Sequence, residues 1–438
     1  MGYSVKDILH MEVIPALGCT EPAAVGLCAA AATSLLPDKE LESVEVWLDP
    51  NIYKNALGVA IPGTRGEYGI DLAAAMGAFG GDPKLKLEVF KTVDDATVKR
   101  ARDFVAAHAV KINLLERQKG IYIKVFVKTA NNTAEAVIEG EHDNINALIL
   151  DGLVVTGNPL LSRESNGVSE IKRMEEWISG LTLDDILHLL DEMDEDDLKF
   201  IDEGVKCNMA LAEYGLKYGP GLGIGLALER LVGEGLLKKD MILAARILTS
   251  AASDARMSGV SLPAMSSAGS GNHGLVTMLP IWAVKDYIVC DNLDRVFRAI
   301  ALSHMVTAYI KAHTGRLSAV CGCSVAAGAG AASGITYLMN GNARHISSAI
   351  KNLVEDLAGI ICDGAKAGCS LKLATAAGTA VQSALFALHG IDVKCTDGII
   401  ASTPEQTLKN VGELSVSGMV ETDRAILKIM LSKQFNKA

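Results

Sequence analysis

The sequence predicts an α+β fold: an N-terminal α+β domain with a mainly antiparallel sheet, followed by a larger all-α helical domain. Three observations predict it. Alternating apolar and polar runs, which mark half-buried strands, gather before residue 157. After about residue 181 such runs nearly vanish, and apolar residues recur at helical spacing instead. Between them lies a polar, broken stretch. The expected organisation is therefore an α+β domain at 1–157, a linker at 158–180 and an all-α domain at 181–438.

Each element follows from local pattern. Residues 1–35 read as helix, break, helix, with Pro15 and Pro22 around the break and AAVGLCAAAATSLL ending before Pro37. SVEVWLDP (43–50) alternates as a strand does, and the Gly- and Pro-punctuated 58–69 reads as loop. LKLEVF (85–90) is expected as a strand and DDATVKRARDFVAAHAV as a helix. A hairpin is expected from strands at 121–129 and 133–140, turning at Asn131–Asn132. Thr182 is placed to cap the first helix of the second domain. MILAARILTSAASDARM, NLDRVFRAIALSHMVTAYIKAH, ISSAIKNLVEDLAGII and TAAGTAVQSALFALHG follow as further helices.

Composition narrows the function. At 438 residues, with 49% apolar and 21% charged residues, the chain has ample core for two or three domains. A net charge of −11 argues against a nucleic-acid partner, which is gripped by clustered Lys and Arg. Aromatics at 5% are too few for base-stacking platforms. MGYSVKDILHMEVIP shows no secretory signal, and the uncharged stretch between Arg316 and Arg344 is too rich in Ala, Gly and Ser to repay insertion into lipid. A cytoplasmic chain without a membrane partner is expected.

Nine cysteines, five of them between 321 and 395, start the chemical argument. Cys321-Gly-Cys323 and the stretch from Cys362 to Cys369 fit no zinc spacing. Iron–sulfur clusters accept more varied spacing, while an Ala/Gly-rich core accommodates cysteines simply as small buried residues. Both readings stay open on spacing alone. Cys19, in Leu17-Gly-Cys-Thr-Glu-Pro22, sits before a helix whose dipole would favour its thiolate; a small residue in a tight turn is the alternative.

Ser266 to Gly274, SSAGSGNHG, could hold a carboxylate with bare N–H groups, hydroxyls, Ser270, Asn272 and His273; a plain connecting loop is the alternative. Arg65, in a second polar loop, is a further carboxylate clamp candidate. Gly219 to Gly225 fails both nucleotide-loop spacings, and the acidic run 191–197 reads as a solvated helix end.

GCTEP, GSGNHG, RLSAVCGCSVAAGAGAASG and ICDGAKAGCSLKLATAAGTA, in that order over nearly the whole chain, resemble the L-cysteine desulfidase family, which is related to the iron–sulfur L-serine dehydratases. The resemblance implies a 4Fe–4S cluster on Cys321, Cys362 and Cys369, with Cys323 as the alternative to Cys321, and Cys19 as catalytic base. It implies a small amino-acid substrate whose β-substituent meets an open iron. Elimination of sulfide from L-cysteine would leave pyruvate and ammonia, with Ser270, Asn272, His273 and Arg65 on the substrate carboxylate. The end, SKQFNKA, lacks the terminal Cys of some serine dehydratases and inclines the resemblance to the desulfidase branch. L-serine dehydration on the same cluster, and a non-catalytic helical binding protein, are the alternatives. A homo-oligomer is expected.

Overall fold

The computed structural model describes residues 2–162, 169–289 and 292–435. Helix α1 (Val5–Glu12) opens with a reciprocal cap, in which the Ser4 hydroxyl accepts from the Asp7 N–H and the Asp7 carboxylate accepts from the Ser4 N–H. Its stripe of Val5, Ile8 and Leu9 is buried among helices of the second half, not against the sheet. The chain thus begins in the larger core before entering the smaller one, a departure from a self-contained 1–157 unit. Strand β1 (Pro15–Leu17) pairs antiparallel with Pro263–Met265, tying the two halves together.

The smaller core is a sheet covered by two apolar helices, α2 (Thr20–Thr33) and α4 (Ile70–Gly80). Between and after them come β2 (Leu41–Leu48), α3 (Pro50–Ala56), α5 (Asp95–Ala106), β3 (Val110–Leu114), β4 (Tyr122–Thr129), β5 (Thr133–Glu139), β6 (Ile145–Leu150) and β7 (Leu153–Val154). The strand order is β3-β2-β4-β5-β6-β7, antiparallel except for the β2–β3 pair. Val46 lies opposite Val125, and Val125 opposite Ala136, so the alternating apolar residues of three strands fall on one buried face. The hairpin turns where expected, the Thr129 N–H bonding the Asn132 carbonyl.

Two local expectations are corrected. Residues 85–90 are not a strand: Pro83–Thr92 forms 3₁₀ turns, started by Pro83 and by the Asp82 carboxylate accepting from the Lys84 N–H. Leu87, Val89 and Phe90 bury together, which an alternating strand cannot do. The helix expected to run through Val110 stops at Ala106; His108 takes a positive φ of 58° and β3 begins.

The larger core is helical: α6 (Glu170–Ile178), α7 (Leu183–Asp191), α8 (Glu195–Tyr218), α9 (Ile224–Gly233) and α10 (Met241–Met257). After β8 (Pro263–Met265) follow α11 (Gly271–Val284), α12 (Leu293–Thr314), α13 (Ala326–Leu338), α14 (Ala343–Leu357), α15 (Cys369–Leu388), α16 (Pro404–Glu413) and α17 (Val420–Phe435). The expected linker is corrected over its last part, because α6 buries Met174 and Ile178 in this core; residues 163–168 lie outside the described ones. Thr182 caps α7 as expected, with Asp185 completing the box. Asp194 and Asp197 do the same for α8, so the acidic run starts a helix. The Gly219–Gly225 connection spends its Gly225 N–H on the Asp254 carboxylate, 3.0 Å away.

α13 carries the uncharged stretch as a buried helix, packed on α12, α11 and α15. Among the described residues α15 alone is long and apolar enough to cross a membrane; 61% of that window is buried, against α10, α13 and α14.

Candidate active site

Two short connections and two helix starts build the site. Val320 and Ile361 form an isolated antiparallel bridge, with the Cys321 N–H on the Ile360 carbonyl at 2.9 Å and the Cys362 N–H on the Ala319 carbonyl at 2.6 Å. Residues next to a bridging pair project to the opposite face, so Cys321 and Cys362 point the same way. Cys369 is the first residue of α15, and Cys19 stands at the N-cap of α2. Cys19, Cys321, Cys323, Cys362 and Cys369 all line one cavity of about 80 Å³ at the junction of the two cores.

The other cysteines are elsewhere. Cys28 donates to the Ala136 carbonyl under the sheet at 3.2 Å, Cys207 donates to the Pro263 carbonyl at 3.1 Å, and Cys395 is exposed. Cys290 lies outside the described residues.

Within the thiol group the environment is uneven. The neighbouring Cys323 thiol and the Ser324 hydroxyl, which donates to the Cys321 sulfur at 3.4 Å, hold Cys321 below the usual thiol range. Cys323 is pushed up by the neighbouring Cys321 and by burial. Burial and the neighbouring Cys321 raise Cys362; burial takes Cys369 to about 11. Crowded, buried thiols resist ionising until a cation compensates them, as a bound metal cluster does. Among the described residues no three His, Cys, Asp or Glu side chains close around a single ion. A four-iron cube is a larger core that takes thiolates spread more widely.

Cys19 differs from the sequence expectation. Its thiol donates to Glu21 Oε2 at 2.9 Å, and burial with the Glu21 charge raises it well above the usual thiol range, outweighing Arg256. The helix N-terminus therefore does not make it a resting thiolate. Glu21 also accepts from the Thr20 hydroxyl at 3.1 Å, and its other oxygen lies 4.0 Å from His142 Nε2. His142 is held below its ordinary value chiefly by burial.

The Ser266–Gly274 segment runs from β8 into α11. Its Ser266 and Ala268 N–H groups bond the Ile14 and Glu12 carbonyls, which fixes it against α1 and β1. Ser270, Asn272 and His273 line the cavity at the start of α11. His273 Nδ1 sits 3.1 Å from the Ser267 carbonyl, so Nδ1 carries the proton and Nε2 is left as acceptor. Burial and Lys311 lower His273 to about 3, so the ring is neutral. A Cβ on Gly322 would lie 2.5 Å from His273 Nε2; the glycine between Cys321 and Cys323 is what lets the ring approach the thiols.

Arg65 is not part of this constellation. It stands on the surface, 84% exposed, 3.5 Å from the Asp95 carboxylate. Its place is taken by cations that sequence reasoning missed: Arg256 from α10, Lys311 from α12, Arg316 and Lys372. Arg316 pairs with Glu12 and Glu175, each at 2.9 Å, and Lys372 with Asp363 at 2.6 Å. Burial lowers Lys311 to about 8. Arg256 and Lys311 lie in unremarkable helical sequence, and only the packing collects them. Arg316 and Lys372 stand inside two of the motifs quoted above, as Glu21 does two residues from Cys19.

The chain is similar to known proteins over its whole length. The UPF0597 protein of Desulfatibacillum aliphaticivorans is 59% identical over 438 residues, covering 100% of both chains. That of Desulfotalea psychrophila is 57% identical over 99% of each chain, and that of Clostridioides difficile 44% identical over 97% of this chain and 98% of its own. The family model described as serine dehydratase alpha chain matches residues 84–428, which include every cavity cysteine but Cys19. The chain belongs to the serine dehydratase alpha chain family.

Proposed function

We propose that the protein is an iron–sulfur β-eliminating lyase that takes sulfide from L-cysteine, leaving pyruvate and ammonia. One observation carries the reading: four clustered thiols and the Cys19–Glu21 pair face the same buried cavity. The donor set fits a 4Fe–4S cluster, since its thiols are crowded and buried with cationic Lys311 and Lys372 beside them. Cys321, Cys362 and Cys369 would hold it, Cys321 being preferred over Cys323 because its sulfur also accepts from the Ser324 hydroxyl, which favours the thiolate. When bound, such a cluster supplies an open iron as Lewis acid for the departing group.

The chain's own residues do the rest. Ser270 and the bare N–H groups starting α11 orient the substrate carboxylate, with Asn272 and His273 lining the same wall. Glu21 accepts the Cys19 proton, and the freed sulfur takes the substrate α-proton. Neutral His273 offers Nε2 as an acceptor inside the cavity. Burial of the walls keeps bulk water from competing for the same donors.

L-serine is the second reading, favoured by the name of the family. The softer thiolate and better sulfide leaving group favour L-cysteine. Anaerobic turnover of both amino acids, with iron and acid-labile sulfide quantified on the same sample, tests the proposal. A brown protein releasing sulfide and pyruvate from L-cysteine supports it. A preparation retaining its cluster but inert to both amino acids overturns it.

A further inference from the structure

The cavity contains a set of buried polar atoms that find no partner among the described residues. Arg256, in the last turn of α10, is 1% exposed, and its Nε and Nη2 have no hydrogen-bond partner. Asn272, in the first turn of α11, is 4% exposed; its Nδ2 donates to Met257 Sδ at 3.5 Å, while Oδ1 has no partner. Both residues line the cavity beside Cys19. Leaving guanidinium donors buried and unpaired is costly, and native proteins accept that cost where a ligand completes the bonds. Of the other basic groups, Arg316 is paired with Glu12 and Glu175 and Lys372 with Asp363, while Lys311 stands beside the thiols of Cys362 and Cys323.

Nε and Nη2 form one side edge of the guanidinium, two parallel donors spaced for the two oxygens of a carboxylate. Gly271 gives the guanidinium room to lie flat against the start of α11, since a Cβ there would lie 2.4 Å from Nε, 2.6 Å from Cζ and 2.8 Å from Nη2. The start of α11, at the same place, adds the positive end of a 14-residue helix. Asn272 Oδ1, an acceptor on the same wall, has the opposite need: a donor such as an ammonium.

We infer that Arg256 is the carboxylate clamp of the site and Asn272 Oδ1 the acceptor for the α-ammonium, so that the cavity reads the zwitterion of a small monocarboxylic α-amino acid. This rests on the proposed lyase reading and names the residues by which that site would select its substrate. It assigns to Arg256 the role that the sequence suggested for Arg65, and leaves the β-substituent directed away from α11, toward the thiols.

Equilibrium binding by the anaerobically purified protein tests it with L-alanine, which has no β leaving group, and L-alaninamide, in which the carboxylate is a neutral amide. Wild type should bind L-alanine. Arg256→Met should weaken L-alanine about 100-fold while L-alaninamide binding stays within about threefold, the loss expected for two charge-assisted bonds. Arg256→Lys should fall between, with KM for L-cysteine raised more than kcat is lowered. Gly271→Ala, whose methyl would press on the guanidinium and displace it, should repeat the L-alanine loss and serves where Arg256→Met does not fold. Unchanged L-alanine affinity in an iron-replete Arg256→Met or Arg256→Lys protein that still turns over L-cysteine overturns the clamp and spares the lyase reading. Wild type that keeps its iron yet neither binds L-alanine nor consumes L-cysteine overturns both.

Discussion

The Cys19 thiol donates to Glu21 Oε2 across 2.9 Å, and both side chains are buried. The pair shares a helix start, Cys19 at the N-cap of α2 and Glu21 in its first turn, so one motif supplies a proton donor and its acceptor together. A base built this way is a thiol made reactive only when its proton is passed to the carboxylate. Glu21→Gln should therefore leave iron and acid-labile sulfide unchanged and lower kcat by about 10²–10⁴-fold, the usual worth of a general base. Cys19→Ala should match it. Steady-state rates per iron check both, and a Glu21→Gln enzyme within about threefold of wild type would remove Glu21 from the proton path.

The thiol group gives a sharper division. Cys321 accepts from the Ser324 hydroxyl, and Cys362 faces the same way across the Val320–Ile361 bridge. Cys321→Ser, Cys362→Ser and Cys369→Ser should each yield protein without the brown absorbance, with iron reduced to a small fraction of wild type. Cys323→Ser should keep its iron. Iron retained in Cys321→Ser but lost in Cys323→Ser would exchange the two assignments.

How far these residues were legible depends on what the sequence can encode locally. Cys362 and Cys369, seven positions apart in a glycine-bearing connection, announce themselves, and so does Cys19 at a helix start. The α+β fold class was readable for the same reason: strand alternation and helical spacing are local signals. Arg256 and Lys311 are one cation each in long helices, and nothing within a helical turn says that their tips share a cavity. Arg65 failed in the opposite sense, a conspicuous polar turn that stays in water. Residues 85–90 misled because LKLEVF alternates in print, while Pro83 and Asp82 wind it into turns.

Helix approach in the smaller core is set by two glycines. A Cβ on Gly77 of α4 would lie 2.2 Å from the Gly26 carbonyl oxygen of α2. Backbone cannot yield there as a flexible side chain would. Gly77→Ala should destabilise by about 1–3 kcal/mol through overpacking, despite the better helix propensity of Ala. Urea unfolding measures it, and a neutral or stabilising result would show that α2 and α4 have room to separate.

Acid sensitivity follows from His304. The ring is 1% exposed, its Nδ1 is 2.8 Å from the Ser267 hydroxyl, and burial lowers it from 6.5 to about 3. Below the ordinary histidine value the unfolded chain binds a proton that the folded ring refuses. The stability this residue contributes is thus complete above pH ~6.5 and lost as pH falls toward ~3, at about 1.4 kcal/mol per unit. By pH ~5 that is ~2 kcal/mol. His304→Gln, which offers Ser267 an amide, should flatten the pH dependence of urea unfolding by one proton; an unaltered slope would mean that His304 is protonated in the folded state.

The charges under the cavity should be the costliest to disturb. Arg316 reaches Glu12 of α1 and Glu175 of α6 at 2.9 Å each, so one guanidinium holds the first helix of the chain and the last turns of a helix more than 150 residues later. Glu12 is 2% exposed, with one oxygen already unpaired. Burial draws Arg316 down while Glu12 and Glu175 more than offset it, and the net effect raises it. Arg316→Met would strand the buried Glu12 carboxylate and the partly buried Glu175, and removing one partner of a buried pair costs about 3–5 kcal/mol. Replacing all three groups by apolar residues should recover most of that loss, because no unpaired charge then remains. Urea unfolding of Arg316→Met beside Glu12→Leu/Arg316→Met/Glu175→Leu separates the two effects, and a triple variant no more stable than the single one would show that the network holds α1 by packing, not by charge.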